Sequence, residues 1–438
     1  MQVDKITLQD IGLFDNEEHK GLASHLNFCK SNGGGIYLNQ YLHQPLSELS
    51  KIEERQKALK ALIASIEQLE QMKITNGTCL IIEKFYETSF KHIPVQISLP
   101  GAYWYMFWNK ADYSLIKYSV EHLVLFVQDL MEFVQIFKPV ANNPILEKLV
   151  AKLDKLLQHP NIMALYKKQK IKNPQSILGL GHFFLYQHKN NTNALLEYFY
   201  ELDALFSLAK AHTTYHFEFP NWINDTQPYL EVAQAKHPLV NNAIGNNLTL
   251  AHDKNFLFLT GANMAGKSTF IKTIGIVVYL AHIGMGAPAQ KITLTVMDGL
   301  ITNLNIADNV VKGESYFYNE VQRIKNTVLK INDGKKYCVL IDELFKGTNI
   351  LDAMKCSTKV IEGLQKLRSS IYILSTHLYE ISDQLQQYQN IQFSYFETEV
   401  KDKELHFHYH LTPGISQDRI GYLILEREGV VDLLENLS

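Results

Sequence analysis

Residues 256–269 constrain the fold of this chain more than any other stretch. They begin with four apolar residues, typical of a buried strand, and continue as Gly-x-x-x-x-Gly-Lys-Ser, after which a helical pattern follows without a gap. Gly261 and Gly266 permit a turn whose amide groups point inward, and the helix N-terminus adds the positive end of its dipole. Lys267 would reach the outer phosphates and the Ser268 hydroxyl would coordinate Mg²⁺. The stretch therefore predicts a nucleoside-triphosphate site.

Length and composition describe an ordinary folded protein of more than one domain. A chain of 438 residues is too long for one compact core, and its 46% hydrophobic content excludes a disordered chain. The formal net charge of −3 gives no overall attraction to polyanions, so any contact with nucleic acid depends on local patches. The four cysteines are scattered and form no paired motif, which fits reduced thiols in a cytoplasmic protein.

The sequence shows no sign of export or of a membrane partner. The first five residues have neither the basic start nor the apolar run of a signal peptide. The most apolar stretch, residues 120–137, contains Glu121, Asp129 and Glu132. We interpret it as a buried amphipathic helix and expect no membrane-spanning segment.

The pattern of apolar residues changes near residue 215. Before that point apolar residues recur at helical spacing, which predicts helices that pack into a bundle. Within this half, we expect the glycines at 33–35 to interrupt a helix and residues 79–82 to form a short strand or a buried turn. Residues 75–111, which include an aromatic cluster at 103–108, are less regular and are expected to form a joint between helices. After residue 220, short apolar runs separated by turns predict an α/β domain over the rest of the chain.

Two further strand ends carry polar residues that suit phosphoryl chemistry. One buried run ends in Asp342 and Glu343, and after a glycine loop the first acid completes the Mg²⁺ shell while the second can activate the attacking water. Another run ends in Ser375, Thr376 and His377. Open parallel sheets place their ligands at the carboxyl ends of strands, so we expect His377 to sense or stabilise the γ-phosphate.

The order of these pieces is that of ABC-type ATPases. Between the glycine loop and the acidic strand, residues 312–320 open a helix and include Ser315. ABC-type ATPases hydrolyse ATP between two facing domains. The chain contains one nucleotide domain, so the second domain is expected to come from another copy.

Several stretches together closely resemble the MutS family of DNA mismatch-repair ATPases. Four lie in the nucleotide domain, at residues 261–269, 281–289, 342–348 and 375–377. Residues 236–240 look like the Arg-His-Pro entry to that domain in the family, and residues 411–422 look like its C-terminal strand and turn. Residues 33–56 and 201–205 are similar to parts of the helical core of the family.

The resemblance implies a role for each site residue. Asp342 and Ser268 would bind Mg²⁺, Glu343 would activate water, and His377 would read the γ-phosphate. Ser315 would act across a dimer on the ATP of the partner. The residues that would bind the nucleotide are Gly261, Ala262, Asn263, Met264, Ala265, Gly266, Lys267, Ser268, Thr269 and His237.

The implied fold is an α/β P-loop domain of the ABC type at residues 215–438, preceded by an all-α MutS core or lever-like region at residues 1–214. The core-like pattern starts close to the N-terminus, so we expect a shortened member without the mismatch-reading and connector domains. Departures from the family are Ala262 for Pro, Tyr316 for Thr, and Phe345 with Lys346 for Gly-Arg. A Phe-Tyr-Glu triplet at 85–87 matches the mismatch-reading triplet but lies on the wrong side of the core pattern.

Three functions stay open at this point. The leading hypothesis is a cytoplasmic, homodimeric Mg²⁺-dependent ATPase that joins through its ATPase domains and switches its grip on double-stranded DNA, in mismatch repair or related DNA maintenance. The second is an ATP-dependent assembly module that acts on a protein partner and hydrolyses ATP slowly. The third is an ATPase that acts without DNA.

Overall fold

The chain divides into two compact units in the computed structural model, which describes residues 1–15, 20–90, 93, 97–139, 143–166, 171–304, 316–401, 404–416 and 429–435. The α/β unit consists of Met1–His25, Pro45–Ile52 and Thr214–Ser438, and the helical unit consists of Leu26–Gln44 and Glu53–Thr213. The expectation of one helical region over residues 1–214 is therefore wrong for the two N-terminal segments of the α/β unit. The reason is backbone pairing: Gln2 pairs in parallel with Gly299, and Leu46 N donates to His282 O at 2.7 Å.

The secondary structure of the described residues is as follows. The helices are α1 (Lys5–Asp10), α2 (Leu22–His25), α3 (Asn32–His43), α4 (Leu49–Ala64), α5 (Ile66–Glu70), α6 (Asn76–Glu87), α7 (Leu99–Trp108), α8 (Lys110–Phe137), α9 (Pro144–Leu157), α10 (Pro160–Met163), α11 (Pro174–His182), α12 (Lys189–Thr214), α13 (Lys267–Ile283), α14 (Tyr316–Ile331), α15 (Ile350–Leu364), α16 (Ser382–Leu385) and α17 (Val430–Glu435). The strands are β1 (Asn221–Ile223), β2 (Leu230–Ala235), β3 (Asn246–Leu250), β4 (Phe256–Thr260), β5 (Lys291–Thr295), β6 (Gly299–Asn303), β7 (Tyr337–Asp342), β8 (Ile371–Ser375), β9 (Ile391–Lys401) and β10 (Glu404–Pro413).

The α/β unit contains two sheets. The larger has the order β10-β9-β4-β8-β7-β6, in which β10 is antiparallel to β9 and the other pairs are parallel. The smaller has the order β1-β5-β2-β3. Strands β4, β7 and β8 are buried along their whole length, as expected for parallel strands with helices on both faces. Their carboxyl ends meet at one edge of the sheet.

The core of the larger sheet follows the alternation of side chains along its central strands. Val339 and Ile341 of β7 belong to an apolar cluster that includes residues of α14 and α15. Leu340, between them, approaches Gly275 of α13 on the other face. The sheet is therefore covered by helices on both sides, which agrees with the α/β part of the expected fold.

Every element described in the helical unit is a helix, and three local expectations fail there. Residues 75–111 contain α6 and α7 instead of an irregular joint. The glycines at 33–35 lie in the first turn of α3 instead of interrupting a helix, because Gly33 and Gly34 allow α3 to approach Tyr200 and Asp203 of α12. Residues 79–82 are part of α6, where Cys79, Ile82 and Phe85 are buried. Since Phe85 lies in the core, the Phe-Tyr-Glu triplet does not present a wedge at the surface.

Two general expectations can be compared with the described residues. No helix among them combines the length and the apolar composition that crossing a bilayer requires. All four cysteines are free thiols, and burial raises the pKa of Cys79 and of Cys338 to about 12. These thiols are protonated at neutral pH and pack as small apolar groups.

Candidate functional site

The turn between β4 and α13 depends on its two glycines. Gly261 has a φ of +134° and Gly266 a φ of +103°, both in a region where a side chain is strained. A Cβ on Gly261 would lie 3.1 Å from Phe396 O, and one on Gly266 would lie 3.2 Å from the ring of Tyr409. Backbone conformation and lack of space therefore both require glycine at these positions.

Lys267 begins α13 and is buried inside the turn. Its Nζ donates to Gly261 O at 2.7 Å and to Ala262 O at 2.9 Å. Burial lowers the pKa of Lys267, while the negative charges of Glu343 and Asp342 oppose that shift. The ammonium group is thus held among the carbonyl groups of the turn, with two acids near enough to favour its charged form.

The ends of three parallel strands are hydrogen-bonded to one another next to this turn. Thr376 N, after β8, donates to Leu259 O of β4 at 3.0 Å. Glu343 N, after β7, donates to Ser375 O at 2.9 Å, and Ser375 Oγ donates to the Asp342 carboxylate. The sheet itself therefore brings the acidic pair and the Ser-Thr-His segment to the glycine turn, as the sequence order predicted.

Glu343 is the most perturbed acid of the site. Its Oε2 lies 3.1 Å from Lys346 Nζ and 3.6 Å from His377 Nδ1. Burial raises the pKa of Glu343, but His377 and Lys346 together outweigh burial and bring it down to about 2. Glu343 and Phe345 have φ values of +57° and +61°, which are uncommon for residues other than glycine. The carboxylate is therefore ionised and held by two basic side chains on a strained turn.

Glu320 supports that turn from α14 and was not assigned a role from the sequence. Its buried carboxylate accepts hydrogen bonds from Lys346 N at 3.2 Å and Gly347 N at 3.5 Å. Burial raises the pKa of Glu320, and these amide bonds counteract the rise. The only signal in the sequence was an acid within an amphipathic helix, which is more often a solvated residue.

A cavity of about 490 Å³ opens beside the glycine turn. One side is formed by the turn and the start of α13, including Ser268 and Thr269, and Glu343 reaches the same space. His237, Ile244 and Tyr409 line it from other parts of the α/β unit. The volume lies within the range of roughly 300–1,000 Å³ typical of small-molecule sites.

Tyr409 and Asn246 belong to this cavity although the sequence pattern singled out neither. Tyr409 has a φ of +54° and sits at an irregularity in the pairing of β10 with β9. Asn246 fixes it, because the side chain donates to Tyr409 O at 3.0 Å and accepts from Leu411 N at 2.7 Å. The aromatic ring consequently lies against Gly266, opposite the start of α13.

His237 lines the cavity as a neutral ring. Burial lowers its pKa to about 4, and the charge of Lys272 adds to this effect. Its Nδ1 accepts a hydrogen bond from Leu239 N at 3.4 Å. An uncharged imidazole at this place suits contact with a base or a sugar better than contact with a phosphate.

The donor set fits a nucleotide and a magnesium ion. A close-fitting turn at Gly261 and Gly266, followed by a helix N-terminus, is a cradle for phosphate groups. Ser268 and Asp342 provide the oxygen ligands that Mg²⁺ prefers. Within the described part of the chain, no group of three or more His, Cys, Asp or Glu side chains is arranged to hold a metal ion.

The structure gathers most of the predicted site residues. Six of the nine residues of the glycine turn line the cavity together with Glu343 and His237. Gly261 and Ala262 contact Lys267 through their carbonyl groups, and Glu343 lies beside His377. Asp342 is bonded to Ser375 at the neighbouring strand end. Ser315 lies outside the described residues. The roles of all these residues remain predictions.

The fold and this site define a class, that of α/β domains with a phosphate-binding glycine loop. Residues 257–432 match the family model described as MutS domain V, so this part of the chain is similar to the MutS family.

The chain is similar to several proteins named DNA mismatch repair protein MutS. The relative from Petrotoga mobilis is 32% identical over 186 residues, which cover 42% of this chain and 22% of the relative. The relative from Thermotoga maritima is 28% identical over 57% of this chain and 31% of its own length. The relative from Bacillus subtilis is 31% identical over 44% of this chain and 23% of its own length. The chain thus spans less than a third of the length of these relatives.

Proposed function

We propose that this chain is an ATP-binding and ATP-hydrolysing switch of the MutS type. The observation that carries the proposal is the meeting of the glycine turn, with its buried Lys267, and the Glu343–His377 pair beside one cavity. Mismatch-repair proteins are among the relatives, which supports the same class of function.

The glycine turn would bind the phosphate groups. Lys267 Nζ is bonded to two neutral carbonyl oxygens, and a phosphate would provide charged acceptors that form stronger hydrogen bonds. Ser268 and Asp342 would hold Mg²⁺, which supplies neutralisation of the charge on the phosphate oxygens. The Tyr409 ring and Ile244 offer apolar surface to a nucleotide base.

Glu343 and His377 would act on the attacking water. With a pKa of about 2, Glu343 is ionised at neutral pH and able to accept a hydrogen bond from a water molecule. His377 keeps the carboxylate oriented through their contact. Ser315 would complete the site of a second copy, so the proposed assembly is a homodimer joined through the α/β units.

Measurements of ATP affinity and of Mg²⁺-dependent turnover test the proposal separately. Lys267→Ala should lose both, because the positive charge inside the turn is removed. Glu343→Gln should keep ATP binding and lower turnover by about a hundredfold or more, since a general base contributes that much. Glu231→Gln, in an exposed pair with Lys291, is the matched control and should change neither quantity. Normal turnover in either site variant would refute the assigned role.

Double-stranded DNA in the cytoplasm is the partner that we propose, because the relatives are named as DNA mismatch-repair proteins. Filter binding with homoduplex, mismatched and branched DNA, with and without ATP, tests this choice. Failure to bind any of the three would remove mismatch repair from consideration and favour an ATPase that acts without DNA.

A second function is favoured by the environment of Glu343. A carboxylate with so low a pKa is a weak base, and Lys346 stands beside it in place of the Arg of the family pattern. We infer from this pair that a slow ATPase, which uses ATP chiefly to assemble with a protein partner, is the alternative. Tight ATP binding with negligible turnover would select it.

A further inference from the structure

Helix α7 of the helical unit exposes four neighbouring aromatic side chains, which we call the aromatic face. They are Tyr103 (51% exposed), Trp104 (68%), Phe107 (75%) and Trp108 (64%). The ring centroids of Trp104 and Trp108 are 5.6 Å apart, and those of Phe107 and Trp108 are 5.7 Å apart. Ala102 and Tyr105 on the same helix are buried. A helix that is apolar on all sides belongs in a core, yet this one is covered on one side only.

We propose that the aromatic face is an interface between two copies of this chain. A fully buried aromatic side chain removes roughly 150–250 Å² from water, so these four leave roughly 400–600 Å² exposed. Such an area equals the largest apolar patch of a typical monomer, roughly 300–600 Å². It also supplies about half to three quarters of the roughly 800 Å² that each partner contributes to a standard interface. The face is therefore large enough to form the centre of a dimer contact.

Charge favours a protein as the occupant. Residues 99–109 contain no charged side chain, and Lys110 next to them is balanced by Asp112. A surface for nucleic acid needs basic groups to neutralise phosphates, and a surface for anionic lipid needs them as well. The centres of protein interfaces are poor in charge and rich in Trp, Tyr and Phe. The composition of α7 matches this last description.

A second copy of the chain can cover the aromatic face, because it carries the same apolar patch. A two-fold axis places the same patch on both partners, so every exposed ring meets an apolar surface. Aromatic rings pack against one another in offset or edge-to-face arrangements, which the Phe107–Trp108 pair already shows within one chain. None of the four residues belongs to the ATP site, so the contact forms without nucleotide.

The tryptophans of the chain provide a direct probe of this contact. Two of the three tryptophans lie in the aromatic face, and the third is Trp222. In a Trp222→Phe background, emission reports Trp104 and Trp108 alone. Sedimentation and fluorescence over a dilution series without nucleotide should show a dimer at higher concentration. Its emission should be blue-shifted and less quenched by acrylamide than that of the monomer.

Combined Trp104→Ala and Phe107→Ala substitutions should weaken dimerisation by roughly thirtyfold or more, as expected for central aromatic residues of an interface. Ile36→Ala, at a residue 62% exposed on α3 of the same unit, is the control and should leave the dimer intact. Lys267→Ala should also keep the nucleotide-free dimer, which separates this proposal from the proposed ATPase.

Three results would overturn the proposal. They are a monomer at every concentration, a double variant that sediments like the unaltered chain, and a blue shift that requires added duplex DNA or phosphatidylcholine vesicles. Unchanged thermal unfolding of the double variant establishes that loss of the dimer is not loss of the fold.

Discussion

Single residues of the site adopt conformations that few side chains tolerate, and this makes the chemistry of the site testable one residue at a time. Gly261 and Gly266 lie at positive φ in the turn, and Glu343 does so next to the sheet. Such strain persists only where surrounding contacts maintain it. Around Glu343 those contacts come from Glu320, Lys346 and His377.

The first prediction concerns Gly266→Ala. The new Cβ would be strained at a φ of +103° and would lie 3.2 Å from the Tyr409 ring, so ATP affinity should fall and the free energy of unfolding should drop by about 1–3 kcal/mol. Gly334→Ala is the control, since φ there is +78° but nothing lies within 4 Å of the Cβ. It should lose stability and keep ATP affinity. Calorimetry and ATP titration measure both quantities.

A double variant separates backbone strain from the collision. Tyr409→Ala removes the ring that the new methyl group meets, so Gly266→Ala should be less harmful in that background than in the native chain. Equal losses of stability in both backgrounds would show that Tyr409 does not constrain Gly266.

The second prediction concerns the pH dependence of turnover. Lys346 lies 3.1 Å from Glu343 Oε2 and helps to lower its pKa from the usual 4.5 to about 2. In Lys346→Met the pKa of Glu343 should rise towards its usual 4.5, so the acidic limb of the turnover profile should move to higher pH. Lys359→Met, whose side chain is 85% exposed in a pair with Glu362, should leave the profile unchanged.

The same pair contributes to stability within a defined pH window. Because the pKa of Glu343 is depressed in the folded chain, its stabilisation is complete above pH 4.5 and disappears as the pH falls to about 2. Lys346→Met should thus be less stable than the native chain at neutral pH, and the difference should shrink on acidification. A difference that grows towards low pH would contradict the assignment.

Local pattern explains which residues of the site could be predicted. Gly261, Gly266 and Lys267 follow a strand and open a helix, so neighbours in sequence determine their geometry. Tyr409 is 143 positions from Gly266 in sequence, and the pairing of β10 with β9 together with the hydrogen bonds of Asn246 brings it to the turn. The carboxylate of Glu320 likewise contacts Lys346 N, in the turn after β7, through tertiary packing that no short sequence pattern encodes.

At the scale of elements, α1 shows how a short segment completes the larger sheet. Gln2, just before α1, forms a single parallel bridge with Gly299 at the edge of β6 and accepts a hydrogen bond from Leu300 N at 3.0 Å. The Asp10 carboxylate accepts from Thr302 Oγ1 at 2.7 Å, from Leu304 N at 3.1 Å and from Arg323 Nη2 at 2.8 Å. One buried carboxylate therefore joins α1, β6 and α14.

The third prediction tests this junction. Asp10→Ala should lower the free energy of unfolding by about 3–5 kcal/mol, because the largely buried Arg323 loses its ion pair with a buried carboxylate, and Thr302 Oγ1 and Leu304 N lose the same acceptor. Lys359→Ala removes one partner of an exposed pair and should cost less than about 1 kcal/mol. Denaturant titration compares the two, and similar losses would show that the Asp10 junction is not a major source of stability.

The N-terminal elements also show where sequence patterns fail. The glycines at 33–35 weaken a helix by intrinsic propensity, yet they begin α3 because Ser31 caps it and Asp203 binds Ser31. No local sequence pattern around Asp10 indicates that its carboxylate pairs with Arg323, which is more than 300 positions away. Contacts between residues that are distant in sequence decide both cases.

At the scale of the whole molecule, the proposed function makes the site composite, with Lys267 of one chain and Ser315 of a second copy acting on the same nucleotide. Such a composite site can be tested by mixing two inactive variants. Two variants that are inactive for different reasons can restore each other, but only when one intact site draws residues from both chains.

The fourth prediction uses this complementation. Lys267→Ala and Ser315→Ala should each be inactive as homodimers. Random association of equal amounts makes half of the dimers mixed, and each mixed dimer contains one site with an intact Lys267 from one chain and an intact Ser315 from the other. ATP turnover of the mixture should therefore reach about one quarter of that of the unaltered protein. If Ser315 served the nucleotide of its own chain, neither site of the mixed dimer would be intact and the mixture would stay inactive.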